Sequence, residues 1–308
     1  MLLKPTVLAS VLLCALLLPG AATAGELPAV SGPNGKLSVE GGTFDDEAAG
    51  LALGSFSLPL GHNLGVQFDG AVGNVDGDVL GGGGVHLFTR DPSSYLLGVY
   101  GSYHTWDSID IWRIAAEAEL YLGRFTVSAL AGYENIDMPS LASGLPVLTQ
   151  DEKSFFGIGD VAYYINDDFK IYGGYRYVAE TSLGAAGAEY LLRDHGVPVS
   201  LFARGDFGNS DFNSITGGVK IYLSDDRNKS LIDRNRRDDP EIYVPVFPKV
   251  VTQTAKQQGS NQCVVGPSPD YKVASNFSCT CPSGTPLSGQ QPQFIPALGG
   301  FYTCGNPV

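Results

Sequence analysis

Between residues 36 and 223 apolar and polar positions alternate with a period of two, the spacing that puts successive side chains on opposite faces of an extended strand. The run from Ile111 to Tyr121 shows it best. Trp112, Ile114, Ala116, Ala118 and Leu120 fall on one parity, and Arg113, Ala115, Glu117, Glu119 and Tyr121 on the other. A helix would mix these two sets. After Leu122, Gly123 and Arg124 a second alternating run sets Phe125, Val127, Ala129, Ala131 and Tyr133 against Thr126, Ser128, Gly132 and Glu134, so a tight hairpin is predicted. Similar units surround the turn Asn166, Asp167, Asp168 and the turn Arg193, Asp194, His195, Gly196. A last run sets Ile215, Gly217, Val219, Ile221 and Leu223 against Ser214, Thr216, Lys220 and Tyr222. With five weaker runs between residues 37 and 104, the pattern predicts about twelve strands, give or take two.

Alternation alone does not say which face is wet. A soluble sandwich turns its charged face outward, whereas a membrane barrel turns its apolar face to lipid and its polar face to a lumen. Three features favour the membrane. The strands run about ten to twelve residues, the span of a tilted transmembrane strand. Aromatic residues gather near strand ends (Tyr95, Trp112, Tyr121, Phe125, Tyr133, Tyr163, Tyr175, Tyr177, Tyr190 and Tyr222), where interfacial girdles sit. Tight turns alternate with a long connection over residues 135–153. Open sheet edges have no partners in hydrocarbon, so closure into a transmembrane up-and-down antiparallel β-barrel follows.

The start of the chain fits export. Residues 1–24 read as a signal peptide: Lys4, a short apolar run, then Ala22, Thr23, Ala24 as a cleavage site. Residues 25–35 would be an N-terminal extension and 36–223 the barrel. Composition narrows partners further. With 19 basic and 32 acidic residues the formal charge is −13, which argues against nucleic acid. The 40 glycines argue against a helical bundle.

Residues 161–170 (VAYYINDDFK), 217–223 (GGVKIYL), 229–232 (KSLI) and 238–240 (DDP) resemble a family of uncharacterised α-proteobacterial outer-membrane β-barrel, porin-like proteins. The resemblance covers roughly residues 36–240. It implies an outer-membrane location in a Gram-negative envelope and no known activity. Thr216, Gly218, Ile221 and Leu223 also look like the signal by which barrel-assembly machinery reads a final strand, here followed by a long tail.

Composition shifts after Leu223. Residues 224–262 form a charged, Pro-containing linker, read as a solvated cap rather than a site for a periplasmic or cell-wall partner. Residues 263–308 hold Cys263, Cys279, Cys281 and Cys304. In an exported chain these imply disulfides in a small C-terminal module, its pairing left open, and a C1-spaced pair fits zinc poorly. An even strand number would leave this tail in the periplasm.

No motif carries chemistry. Gly81 to Gly84 lack the setting and the Lys of a phosphate loop. His104 near Asp107 and Ser108, at an outer rim, is the best candidate for a lipid-modifying enzyme, yet a solvated loop histidine is the ordinary reading. Arg113, Glu117, Glu119, Lys170, Arg176, Glu189, Arg204, Asp206 and Lys220 are expected to line the lumen, paired or bordering a narrow channel. The function expected is therefore non-enzymatic, a structural barrel or passive small-solute channel, with no cofactor or metal. Its partners would be outer-membrane lipid, lipopolysaccharide, the assembly machinery and, through the tail, periplasmic or cell-wall components. The alternatives are a lipid-modifying barrel enzyme and a soluble exported β-sandwich that binds a ligand.

Overall fold

The computed structural model describes residues 27–44, 47–75, 77–106, 109–137, 152–193, 196–208, 213–224, 226–243, 293–295 and 301–303. Twelve strands close into one antiparallel barrel in which each pairs with its sequence neighbours and β1 pairs with β12. They are β1 (Asn34–Phe44), β2 (Glu47–Pro59), β3 (Leu64–Val75), β4 (Asp78–Asp91), β5 (Tyr95–Trp106), β6 (Ile109–Leu122), β7 (Phe125–Asp137), β8 (Glu152–Asn166), β9 (Phe169–Val178), β10 (Thr181–Leu192), β11 (Val199–Gly208) and β12 (Asn213–Leu223). A short helix, α1 (Leu231–Arg237), follows, and a two-stranded ladder pairs β13 (Gln293–Ile295) with β14 (Phe301–Thr303). The signal segment and the four cysteines lie outside the described residues.

Sidedness follows the alternation. On β6, Trp112, Ile114 and Leu120 are exposed, and Arg113, Glu117 and Glu119 are buried inside. The same division holds around the ring: Leu37, Val39, Phe68, Val72, Val99, Val161, Leu201 and Val219 face outward, and Lys36, Gln67, His86, Lys170 and Lys220 face inward. A charged interior under an apolar exterior inverts a water-soluble barrel and is the arrangement that hydrocarbon requires. Outward aromatic pairs mark the two rims. Tyr103 and Trp112 stack at 4.4 Å near one, and Phe125 and Tyr163 at 4.7 Å near the other. Two of the aromatics expected in the girdles, Tyr121 and Tyr222, instead point inward and are almost fully buried.

Both barrel termini, Asn34 and Leu223, lie at one end, here the near mouth. The long connection is at the far mouth. It is shorter than expected, covering residues 138–151, because Asn135 and Ile136 still pair with Lys153 and Glu152. Gly157 and Gly159 had hidden the first half of β8 by interrupting its apolar face. The two-residue turn from β9 to β10 puts Ala179 and Glu180 at φ 48° and 57°, the left-handed pair that matches hairpin twist. A side chain there costs about 1–2 kcal/mol, more than the entropy glycine adds to the unfolded chain. Glu180→Gly is expected to raise the unfolding free energy measured in urea by up to about 1 kcal/mol; a lowered value would show that the Glu180 side chain itself stabilises the turn.

Candidate functional site in the lumen

The inward charges form separate clusters. Arg113 donates two bonds to Glu134, at 3.1 and 2.9 Å, and Glu134 also accepts the Ala179 N–H at 2.6 Å. His86 sits between Asp69 at 3.0 Å and Glu117 at 2.7 Å, its ring 4.6 Å from that of Tyr100. Arg176 pairs with Asp160 at 2.7 Å and reaches Asp206 at 3.6 Å, and Arg204 pairs with Glu40. Gly174 makes room for the Arg176 cluster: a Cβ there would stand 1.8 Å from the Asp160 carboxylate. Lys170 and Lys220 flank Glu189 at 3.5 and 3.0 Å. Glu119 accepts from the Tyr121 hydroxyl at 2.8 Å. All nine residues expected at the lumen thus lie on the inward parity, distributed among these clusters.

His104 is not a loop residue. It sits on β5, inside the far half of the barrel, buried and packed against Gly82. It faces away from the lipid-facing surface, and Asp107 and Ser108 lie outside the described residues.

The charged segment after β12 departs most from expectation, since it is a packed plug rather than a solvated linker. Ser230 caps α1 by accepting the Asp233 N–H, and the helix lies across the near mouth. Its guanidinium groups rest on the three tyrosines that point inward there: Arg234 over Tyr222 at 5.0 Å, and Arg236 over Tyr121 and Tyr164 at 5.0 and 5.7 Å. Such stacking stabilises most where water is excluded. Arg234 is fully buried and donates to the Lys229 and Asp226 carbonyls and to the Ser224 hydroxyl. Arg236 donates to the Phe125 carbonyl at 2.8 Å. From the wall, Arg90 donates to the Ala29 and Asp238 carbonyls at 2.7 and 2.9 Å, tying the N-terminal segment and the end of the helix to β4.

Beyond the helix the chain turns into the lumen. Asp239 pairs with Lys36 at 3.0 Å and accepts from Ser55, and the Pro240 carbonyl accepts from Lys36 at 2.7 Å. Glu241 pairs with Lys170 at 2.7 Å on β9 and approaches Lys220 at 3.9 Å on β12. The Tyr243 ring stands 5.6 Å from Tyr100 and 6.0 Å from His86. The Tyr243 neighbours Tyr100 and His86 lie five residues inside the near ends of their strands, deeper than Lys36, Lys170 and Lys220, so the segment runs inward. Burial alone would raise the Glu241 carboxyl, but the ammonium groups of Lys170, Lys220 and Lys36 override it and hold the group well below its ordinary range. Its docked charge is therefore kept through mild acid and lost only as pH falls through that lowered value. A cavity of about 170 Å³ remains beside the plug, lined by Glu40, Arg176, Arg204 and Asp206 on the wall and by Glu241 and Tyr243 on the plug.

The far half of the lumen also holds an apolar cluster among its charges, which the alternation did not show. Phe44, Leu80, Ile111, Leu130, Phe156 and Leu183 point inward and are buried, and Ile242 and Tyr243 pack against that cluster.

No family model and no curated protein matches the sequence. Among solved structures the chain is similar to the KdgM porin (11% identity over 61% of this chain and 98% of that one, TM-score 0.44). It is also similar to the NanC porin (13%, 61% and 98%, TM-score 0.43) and to the Acinetobacter baumannii outer membrane protein Omp33 (12%, 62% and 98%, TM-score 0.40). At these scores the similarities add nothing to what the barrel itself shows.

Proposed function

We propose that this chain is an outer-membrane β-barrel, structural in its resting state, whose lumen is held shut by its own C-terminal segment. The observation that carries this reading is the placement of residues 239–243. Inside a barrel with an apolar exterior, their carboxylates pair with Lys36 on β1, Lys170 on β9 and Lys220 on β12. A water-filled pore would leave those ammonium groups solvated; here the chain neutralises them. Both barrel ends at the near mouth favour the periplasm for that end, and the long connection over residues 138–151 favours the outside for the other. Small-solute passage would then need the plug to move, starting from the charged cavity beside it. A tail in the periplasm was the expectation from an even strand count; residues 238–243 run from the near mouth into the lumen. The outer-membrane reading is tested by gel migration of the unboiled membrane fraction. A closed barrel is expected to migrate as a compact species until boiled, and recovery of the whole protein in the periplasmic supernatant would refute the reading.

A further inference from the structure

The outer wall is hollowed on β3 to β8 by a groove of about 990 Å³, at the top of the range of about 300–1,000 Å³ found for small-molecule sites. Two registered rows of outward residues form it. Phe68, Val85, Gly101, Ile114 and Tyr133 are successive strand partners in one row, and Gly83, Tyr103, Trp112, Asn135 and Lys153 in the other. Phe68 and Gly83 stand seven and five residues inside the far ends of their strands, but Asn135 and Lys153 only two and one. At about 3.4 Å per residue and a tilt of about 40°, the deep end lies about 13–18 Å below the rim, the depth of one leaflet of a hydrocarbon core about 30 Å thick.

The chemistry changes along the groove. Its deep end is Phe68, Val85, Ile114 and the bare backbone of Gly101, beside the stacked rings of Tyr103 and Trp112. Its rim end is Asn135 and the exposed ammonium of Lys153. One row nearer the rim, Asp110 accepts from the Tyr103 hydroxyl and Asp137 from the Asn135 amide, both at 2.7 Å. Among the described side chains no carboxylate pairs with Lys153. The wall itself does not require Gly101: an added Cβ would meet nothing nearer than the Arg113 carbonyl at 3.8 Å. Glycine in a strand interior weakens the strand and marks a place where something outside approaches closely.

We propose that this groove binds a lipid whose acyl chains lie along Phe68, Gly101 and Trp112 and whose phosphate is held by Lys153. The groove opens on hydrocarbon, where an unfilled hollow would forfeit the dispersion contacts of its lining, so acyl chain fills the deep end. The Lys153 ammonium, on its long apolar stem, sits at headgroup level and selects an anionic headgroup. Resting on the outer-membrane reading, the far mouth faces outward, so the lipid belongs to the outer leaflet. The phosphorylated lipid of that leaflet is lipopolysaccharide, and the occupant is its acylated, phosphate-bearing anchor, lipid A.

The test uses the full chain purified in mild detergent, with phosphorylated lipid A as the probe and native mass spectrometry as the readout. One lipid A per barrel is expected. Gly101→Leu fills the floor with a side chain that the wall has room for, and loss of the adduct is expected. Lys153→Gln is expected to weaken binding about fivefold, the weight of one basic residue against anionic lipid, and to erase the preference for phosphorylated over dephosphorylated lipid A. Val39→Leu, lipid-facing on β1 and outside the groove, is expected to bind as the unaltered chain does. Gel migration without boiling is read on every sample. Undiminished binding in Gly101→Leu, with the barrel compact until boiled, overturns the inference and leaves the outer-membrane reading intact. Uptake of phosphatidylethanolamine as tight as that of lipid A overturns the choice of occupant. An unaltered chain that is not compact before boiling overturns both readings.

Discussion

A chain ending at Ser224 is expected to conduct where the full chain is silent. In planar bilayers the complete protein should give no resolvable steps, and the truncated barrel ohmic ones. The strands are untouched, because every barrel pairing lies between residues 34 and 223. What leaves is the near-mouth helix with its arginine–tyrosine stacks, and the carboxylates of Asp239 and Glu241 with it. Lys36, Lys170 and Lys220 then face an open lumen, where desolvation no longer opposes their charge and water follows. A gentler variant, Asp239→Ala with Glu241→Ala, keeps the helix docked but removes the ion pairs deeper in, and intermittent openings are expected. Continued silence of the truncated chain would mean that the wall side chains alone close the lumen and that the tail has no gating role.

The largest single-residue effect on stability is expected at Glu134. Its side chain is wholly buried, takes both donors of Arg113 and caps the Ala179 N–H in the β9–β10 turn. Glu134→Ala strips the buried guanidinium of this carboxylate and the turn of its acceptor. Removing one partner from a buried pair costs about 3–5 kcal/mol, mainly because the remaining charge stays desolvated. Glu134→Gln retains an acceptor and should cost less. Urea unfolding of the lipid-reconstituted barrel measures this; a change within about 0.5 kcal/mol, the level of an ordinary surface substitution, would show that water has replaced the carboxylate.

The barrel was legible because one rule, alternation, is local. Residues 111 to 121 sort into two faces without reference to any other strand, and Gly123 with Arg124 marks the turn between them. The nine interior charges followed from the same parity. The plug was not legible, because its contacts are not local. Lys36 and Asp239 are some 200 positions apart, and in the sequence Asp238 and Asp239 look like one more solvated run beside Arg236 and Arg237. The signal that could have exposed it was a lumen whose Lys36, Lys170 and Lys220 at the near end exceed the carboxylates available on their own strands. Tyr121 and Tyr222 were read as girdle residues because strand-end position was used without parity; their parity with Glu119 and Lys220 places them inside, under Arg236 and Arg234. The inward apolar cluster was missed for a related reason: Ile111, Leu130 and Phe156 share the inward parity with charges, and mixed faces blur the contrast that alternation depends on.

The chain has two tryptophans, and the fold sends them to opposite sides of the wall: Trp112 outward and 55% exposed, Trp106 inward and 7% exposed. In vesicles containing lipids brominated along the acyl chain, the Trp106→Phe variant, which reports Trp112 alone, should be strongly quenched. The Trp112→Phe variant, which reports Trp106 alone, should keep its emission. Quenching of Trp106 with sparing of Trp112, or quenching of neither, would contradict a barrel that shows its apolar face to lipid and encloses its charges.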